Sequence, residues 1–126
     1  MKLLHLEITE TIIKAFYKVY KTLGYGFLEK VYENAMIIEL NKANLNCRNQ
    51  VAINVSYEDK LVGNYYADIL VENKVILELK AAAALCEEHE AQLINYLKTT
   101  DKEVGLLLNF GKDPQFVRKI FENQYK

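Results

Sequence analysis

Several things are scarce in this chain, and each scarcity narrows what it does. Only two cysteines occur in 126 residues, Cys47 and Cys86, far apart and without CxxC spacing. They read as two reduced thiols rather than a disulfide framework. No apolar run reaches the roughly 18 residues of a membrane-spanning helix. The opening "MKLLHLEITE" is too short in its apolar part, and too acidic, for a signal peptide. The expectation is a cytoplasmic protein with no membrane partner. Basic character is also thin. Arg48 and Arg118 are the only arginines, the lysines are scattered, and the formal net charge is −1, with a pI of about 6.1. A tight, non-specific DNA binder shows a basic stripe instead. That shortage leaves room for a site that recruits a metal cation. Two histidines, with no partner at ligand spacing, argue against zinc.

The remainder is ordinary for a globular chain: 51% hydrophobic and 26% charged residues. The length predicts one domain over residues 1–126 that buries roughly two-thirds of its unfolded surface. "ITETIIKAFYKVYKTLG" has helical spacing through Ile8, Ile12, Phe16, Val19 and Leu23. Thr9 suits its N-cap, Ile8 and Ile13 a hydrophobic staple, and Gly24 its end. "FLEKVYENAMIIELNKAN" predicts a second helix. Leu28, Val31, Ala35 and Ile38 form its apolar stripe, beside Glu29, Tyr32, Glu33 and Met36. From Val51 the period changes to two, and residues 50–80 contain no proline. Three strands in an antiparallel meander follow, then a helix over "CEEHEAQLINYLKTT" and a buried strand over "EVGLLLNFG". The tail "DPQFVRKIF" suits a last strand or a short helix. The order ααβββαβ, with a final β optional, indicates an α+β fold built as an α/β/α sandwich.

Asp68, Glu78 and Lys80 stand among Ile, Leu and Val in "YADILVENKVILELK". Glu78 and Lys80 share a strand face. If "ENK" is a three-residue loop, Val71 pairs with Val75, and Asp68 falls opposite Glu78 about 5 Å away at Cβ. A two-residue loop would separate them. Facing carboxylates repel and resist burial, a cost that a hard divalent cation removes. Mg²⁺ prefers one or two carboxylates with water and phosphate oxygens, and an adjacent lysine can orient or activate water. A cross-strand ion pair of Lys80 with Asp68 or Glu78 is the plainer alternative. His89, Gln92 and Tyr96 share one face of the following helix, where Gln92 can donate to a carboxylate or water and Tyr96 can reach a phosphate. An exposed polar stripe would look the same. Glu29 is either a third acidic ligand or a residue placed favourably near its helix N-terminus.

"GFLEKVY", with "YADILVENKVILELKA" and "HEAQLINYLK" in this order, resembles the GxxExxY proteins over residues 8–111. That family is similar to a compact branch of the PD-(D/E)xK nucleases. The resemblance implies a restriction-endonuclease-like αβββαβ core with a mixed sheet flanked by helices. It implies that Asp68 and Glu78 bind metal with the carbonyl of Leu79, and that Lys80 is the catalytic lysine. Glu29 then resembles the acidic residue of the first core helix, acting directly or through water. Gln92 and Tyr96 resemble a QxxxY element. Ala67 departs from the pattern, since proline precedes the aspartate there. Proline at that point shapes the strand, so no ligand is lost. The implied activity is a Mg²⁺-dependent nuclease, with Mn²⁺ as a substitute and DNA favoured over RNA. A homodimer or partner protein would help so weakly basic a chain to grip DNA. The competing readings are a non-catalytic nucleic-acid-binding or assembly module and a protein with a surface ion-pair network.

Overall fold

The protein is described here by a computed structural model over residues 4–126, so the first residues of the opening apolar patch lie outside the described residues. Helix α1 spans Leu6–Leu23 and buries Ile12, Ala15, Phe16 and Val19. It starts a turn earlier than a Thr9 cap would allow. No glycine or proline interrupts residues 4–8, and Leu4 and Ile8 already lie against the core. Thr9 is therefore buried inside the first turn, where its hydroxyl donates to the Leu6 carbonyl at 3.0 Å. The expected Ile8–Ile13 staple falls with that cap, and both side chains lie against the core as helix residues. The helix ends as expected at Gly24, whose φ of 68° suits glycine and whose N–H bonds to the Tyr20 carbonyl at 2.7 Å.

Helix α2 spans Glu29–Lys42. Its buried residues are Tyr32, Glu33, Met36 and Leu40, whereas Leu28 is 81% and Ile38 61% exposed. The stripe with more apolar residues thus faces outward. Tyr32 sets this rotation. Its hydroxyl donates to the Gly24 carbonyl at 2.7 Å and accepts from the Phe27 N–H at 3.2 Å. Its ring stacks on Phe110 with centroids 4.2 Å apart. A fully buried aromatic of this kind contributes about 1.5–3 kcal/mol through area alone, so it outweighs a weakly apolar stripe.

The strands are β1 (Cys47–Tyr57), β2 (Lys60–Val71), β3 (Val75–Lys80), β4 (Val104–Asn109) and β5 (Gln115–Ile120). The tail takes the strand option, followed by a short 3₁₀ turn at Asn123–Tyr125. Helix α3, Glu87–Thr99, connects β3 to β4. Strand order is β1-β2-β3-β4-β5. β3 and β4 run parallel, while the other neighbours run antiparallel. Five strands in a mixed sheet with three helices give the α+β sandwich that the order of elements indicates. β3 and β4 read as near-continuous apolar runs because both their faces are covered. One core joins α1 and α2 to Ile69, Val71, Leu77, Leu79 and Leu106. The other joins α3, through Leu93, Tyr96 and Leu97, to Ile53, Ala67, Ile76 and Leu107.

Candidate active site

The loop between β2 and β3 decides the site. Glu72 and Asn73 adopt left-handed φ of 53° and 54°, and the Lys74 N–H closes the turn on the Val71 carbonyl at 2.9 Å. Val71 then pairs with Val75, Leu70 with Ile76 and Ile69 with Leu77. That is the three-residue-loop register. The next pair in this register would be Asp68 with Glu78, and there the backbone ladder stops. Side chains fill the gap. The Asp68 N–H donates to Glu78 Oε2 at 3.3 Å, and the Leu79 N–H donates to Asp68 Oδ2 at 2.8 Å. Each carboxylate satisfies a strand N–H that a carbonyl would otherwise satisfy.

The sheet is also broken on the other side of Asp68. Pairing of β1 with β2 steps from Asn49↔Ile69 to Val51↔Ala67, leaving out Gln50 and Asp68. Gln50 has φ 52° within a strand, a conformation that costs a non-glycine residue of order 1 kcal/mol or more. Both strands change face there. Cys47 and Ile69 lie with the α1–α2 core, but Val51, Ile53 and Ala67 lie with the α3 core. The outer half of the β1–β2 hairpin is thereby turned towards α3.

Glu78 is only 5% exposed. Burial pushes its carboxyl up to about 9, and the Asp68 side chain pushes the same way, against smaller opposing effects of the Asp68 N–H and then Lys80. The Lys80 ammonium meets Gln92 Oε1 at 3.5 Å. Gln92 Nε2 donates to the Tyr96 hydroxyl at 3.0 Å. Burial, and then the nearby Glu78 charge, raise that phenol to about 12. Asp68, Glu78, Lys80, Gln92 and Tyr96 therefore form one connected group. His89 turns back to its own helix, where its Nδ1 accepts from the Cys86 N–H at 3.4 Å as part of a capping box.

Glu29 stands apart. It is exposed and lines a hollow with Ala81, Ala82 and Ala83, beside Phe110 and Gly111. Among the described residues no three His, Cys, Asp or Glu side chains converge as a metal cluster, so the acidic centre is the Asp68–Glu78 pair. Its donors are hard oxygens on adjacent carboxyls, one of them buried and reluctant to ionise. That chemistry fits a divalent cation of the Mg²⁺ type, which relieves both burial and repulsion.

Two supporting elements were not legible as site residues. Glu33 is buried at 4% exposure and accepts from Lys30 Nζ at 2.6 Å, Gln50 Nε2 at 2.8 Å and Asn49 Nδ2 at 3.4 Å. It ties α2 to the strand residue opposite Asp68. Asn109 is fully buried and holds Ala82 by both backbone groups, accepting from its N–H at 2.9 Å and donating to its carbonyl at 3.0 Å. Gly111 lies so close that a Cβ would sit 2.2 Å from the same carbonyl. The chain leaving Lys80 is thus clamped. The sequence signals for these were faint: a carboxylate one turn beyond Glu29, and one polar residue at the end of the apolar run "GLLLN".

The molecule is thus an α/β/α sandwich whose sheet is opened by two carboxylates, with a lysine two residues on and helices on both faces. The model of the PD-(D/E)XK nuclease superfamily matches residues 6–120. The chain belongs to that superfamily. No curated protein matches it. Among solved structures it is similar to the crystal structure of SSO0001, with a TM-score of 0.58 and 15% identity. The likeness covers 74% of this chain and 50% of that one. The chain therefore spans about half the length of that structure, and at this identity the likeness concerns the fold. No helix among the described residues is long and apolar enough to cross a membrane.

Proposed function

We propose that this protein is a divalent-metal-dependent nuclease that hydrolyses phosphodiester bonds, with Mg²⁺ as the resident ion, Mn²⁺ as a substitute and DNA as the favoured substrate. One observation carries the reading. A nearly inaccessible glutamate, Glu78, is held against Asp68 where the β2–β3 ladder gives way. Burying two adjacent carboxyls costs stability unless a cation or a shared proton compensates them. Superfamily membership supports the same chemistry.

Asp68 and Glu78 would hold the ion with the Leu79 carbonyl, and Glu29 would act through intervening water. The bound ion supplies Lewis acidity at the phosphoryl oxygen and lowers the pKa of water. Lys80 orients the attacking water through its ammonium hydrogens; the water's proton leaves to solvent as its oxygen adds to phosphorus, and the P–O bond to the leaving group breaks, the leaving oxygen taking its proton from solvent. Gln92 fixes the lysine through its Oε1. The Tyr96 hydroxyl, which its surroundings keep protonated, can donate to a phosphate oxygen. "GFLEKVY" resembles the signature of the GxxExxY branch, which we take as the chain's place within the superfamily. In this reading its tyrosine, Tyr32, has a structural role at the glycine corner.

The test is a cleavage panel of single-stranded, duplex and branched DNA, with RNA alongside, under Mg²⁺, Mn²⁺ and EDTA. Cutting that needs the metal and disappears in Glu78→Ala supports the proposal. Folded wild-type protein that cuts nothing in the panel, or cutting that survives Glu78→Ala, refutes it and favours a non-catalytic nucleic-acid module.

A further inference from the structure

Beside the carboxylate pair, a groove of about 850 Å³ runs between the outer β1–β2 hairpin and α3. Its helix wall carries Gln92, Asn95 and Tyr96, and its hairpin wall carries Val62, Gly63 and Tyr65. Resting on the nuclease reading, we propose that this groove takes an unpaired nucleotide of the substrate, so that the protein acts on single-stranded or flapped nucleic acid.

Three observations point to that occupant. First, the groove continues into the site. Gln92 lines it and also meets Lys80, and Tyr96 lines it while its hydroxyl accepts from the same Gln92 at 3.0 Å. A nucleotide next to a phosphate held at the carboxylates would lie there. Second, its walls suit a base. Tyr65 is 49% exposed, its ring 5.8 Å from that of Tyr96, and the amides of Gln92 and Asn95 offer donors and acceptors to a base edge. Gly63 leaves the Tyr65 ring room on this wall, because a Cβ there would lie a tight 3.2 Å from it. Third, the charge is wrong for duplex. Lys98 and Glu88 both line the groove and offset one another, and the whole chain carries a net charge of −1. Duplex is gripped chiefly through its phosphates by many basic residues. Single strands are held by base–aromatic stacking, at about 1–3 kcal/mol per base. The face reversal at Gln50 and Asp68 connects groove and site, since it turns this hairpin towards α3.

The experiment uses the full chain in EDTA, so that nothing is cut. The probe is a thymidine oligonucleotide carrying one 2-aminopurine, either single-stranded or annealed to its complement. The single strand should bind at least about tenfold more tightly than the duplex, with a change in 2-aminopurine fluorescence. Tyr65→Ala and Val62→Glu should each weaken it about 5- to 100-fold, with unchanged far-UV circular dichroism. Equal binding of the two forms, no binding of either, or affinity untouched by both substitutions would overturn the inference. So would a dimer, seen by sedimentation, that Val62→Glu dissociates without altering oligonucleotide binding, since the groove would then be a protein interface. The two readings fail separately. Metal-dependent cleavage indifferent to Tyr65→Ala removes the groove assignment alone. Groove binding by a protein that cuts nothing removes the nuclease reading alone.

Discussion

Replacing Glu78 with glutamine should stabilise the metal-free protein at neutral pH and weaken its hold on metal. The sign follows from proton binding. Glu78 has its folded pKa raised from 4.5 to about 9. Between those values the folded state keeps a proton that the unfolded state has lost, so stability falls as pH rises. The contribution is fully present below about pH 4.5 and is gone above about pH 9. Each pH unit in this window is worth about 1.4 kcal/mol. At pH 7 that amounts to about 3 kcal/mol, which the partly exposed Asp68 side would screen to about 1–3 kcal/mol. Glutamine keeps the size and the acceptor for the Asp68 N–H without the charge. Urea unfolding of wild type and Glu78→Gln in EDTA, from pH 5 to 9, should therefore give curves that diverge as pH rises, the variant being the more stable. Mg²⁺ should narrow the difference by stabilising only the wild type. Wild-type affinity for the ion should rise up to about tenfold per pH unit, because binding displaces the Glu78 proton. Parallel stability curves, or a variant that loses stability at pH 8, would mean that Glu78 is ionised and compensated within the protein. The need for a cation would then disappear.

Other expected outcomes concern the parts around the pair. Lys80→Met should lower the cleavage rate about 10²- to 10⁴-fold while the metal-induced stabilisation measured by thermal shift remains. Tyr32→Phe should cost about 1–2 kcal/mol in urea unfolding, because the bonds to Gly24 and Phe27 are lost while the stack on Phe110 stays. Gly111→Ala should cost about 1–3 kcal/mol, since a Cβ 2.2 Å from the Ala82 carbonyl forces backbone movement. Glu33→Leu should also cost about 1–3 kcal/mol. It should change the backbone amide shifts of Asn49, Gln50 and Asp68 in NMR spectra more than those of β4.

The β2–β3 register was legible because loop length and strand period are local. With a repeat of two, only the length of the "ENK" loop stood open, and its three-residue form puts Asp68 opposite Glu78 without any tertiary knowledge. The two central strands were equally open to reading, since only strands covered on both faces are apolar at nearly every position. The outward stripe of α2 was not. Counting apolar residues assigns Leu28, Val31 and Ile38 to the core, but counting cannot see that Tyr32 and Glu33 find hydrogen-bond partners when buried. The start of α1 was misplaced for a related reason. Thr9 satisfies its hydroxyl on Leu6 inside the helix, so a residue that suits a cap can also sit within the first turn. Gln50 carries no local signal, because its left-handed backbone depends on Glu33, seventeen residues earlier.

That strand defect bears on the choice between a catalytic centre and a surface ion-pair network. In a network, Lys80 would reach Asp68 or Glu78 across an unbroken ladder, and the carboxylates would stand in solvent. Here the ladder stops at Ile69↔Leu77, Glu78 is buried, and the lysine meets Gln92. Breaking the ladder exchanges backbone hydrogen bonds for carboxylate ones and places a left-handed Gln50 opposite the break, at a net cost. Nothing in packing alone requires this, since apolar residues at 68 and 78 would continue both cores. The arrangement keeps two carboxyls adjacent and fixed by backbone N–H groups, with a lysine held beside them by a neutral amide. Those three features together suit the proposed cation centre, whereas an ion-pair network would use the lysine beside the carboxyls but would need neither the burial of Glu78 nor the broken ladder.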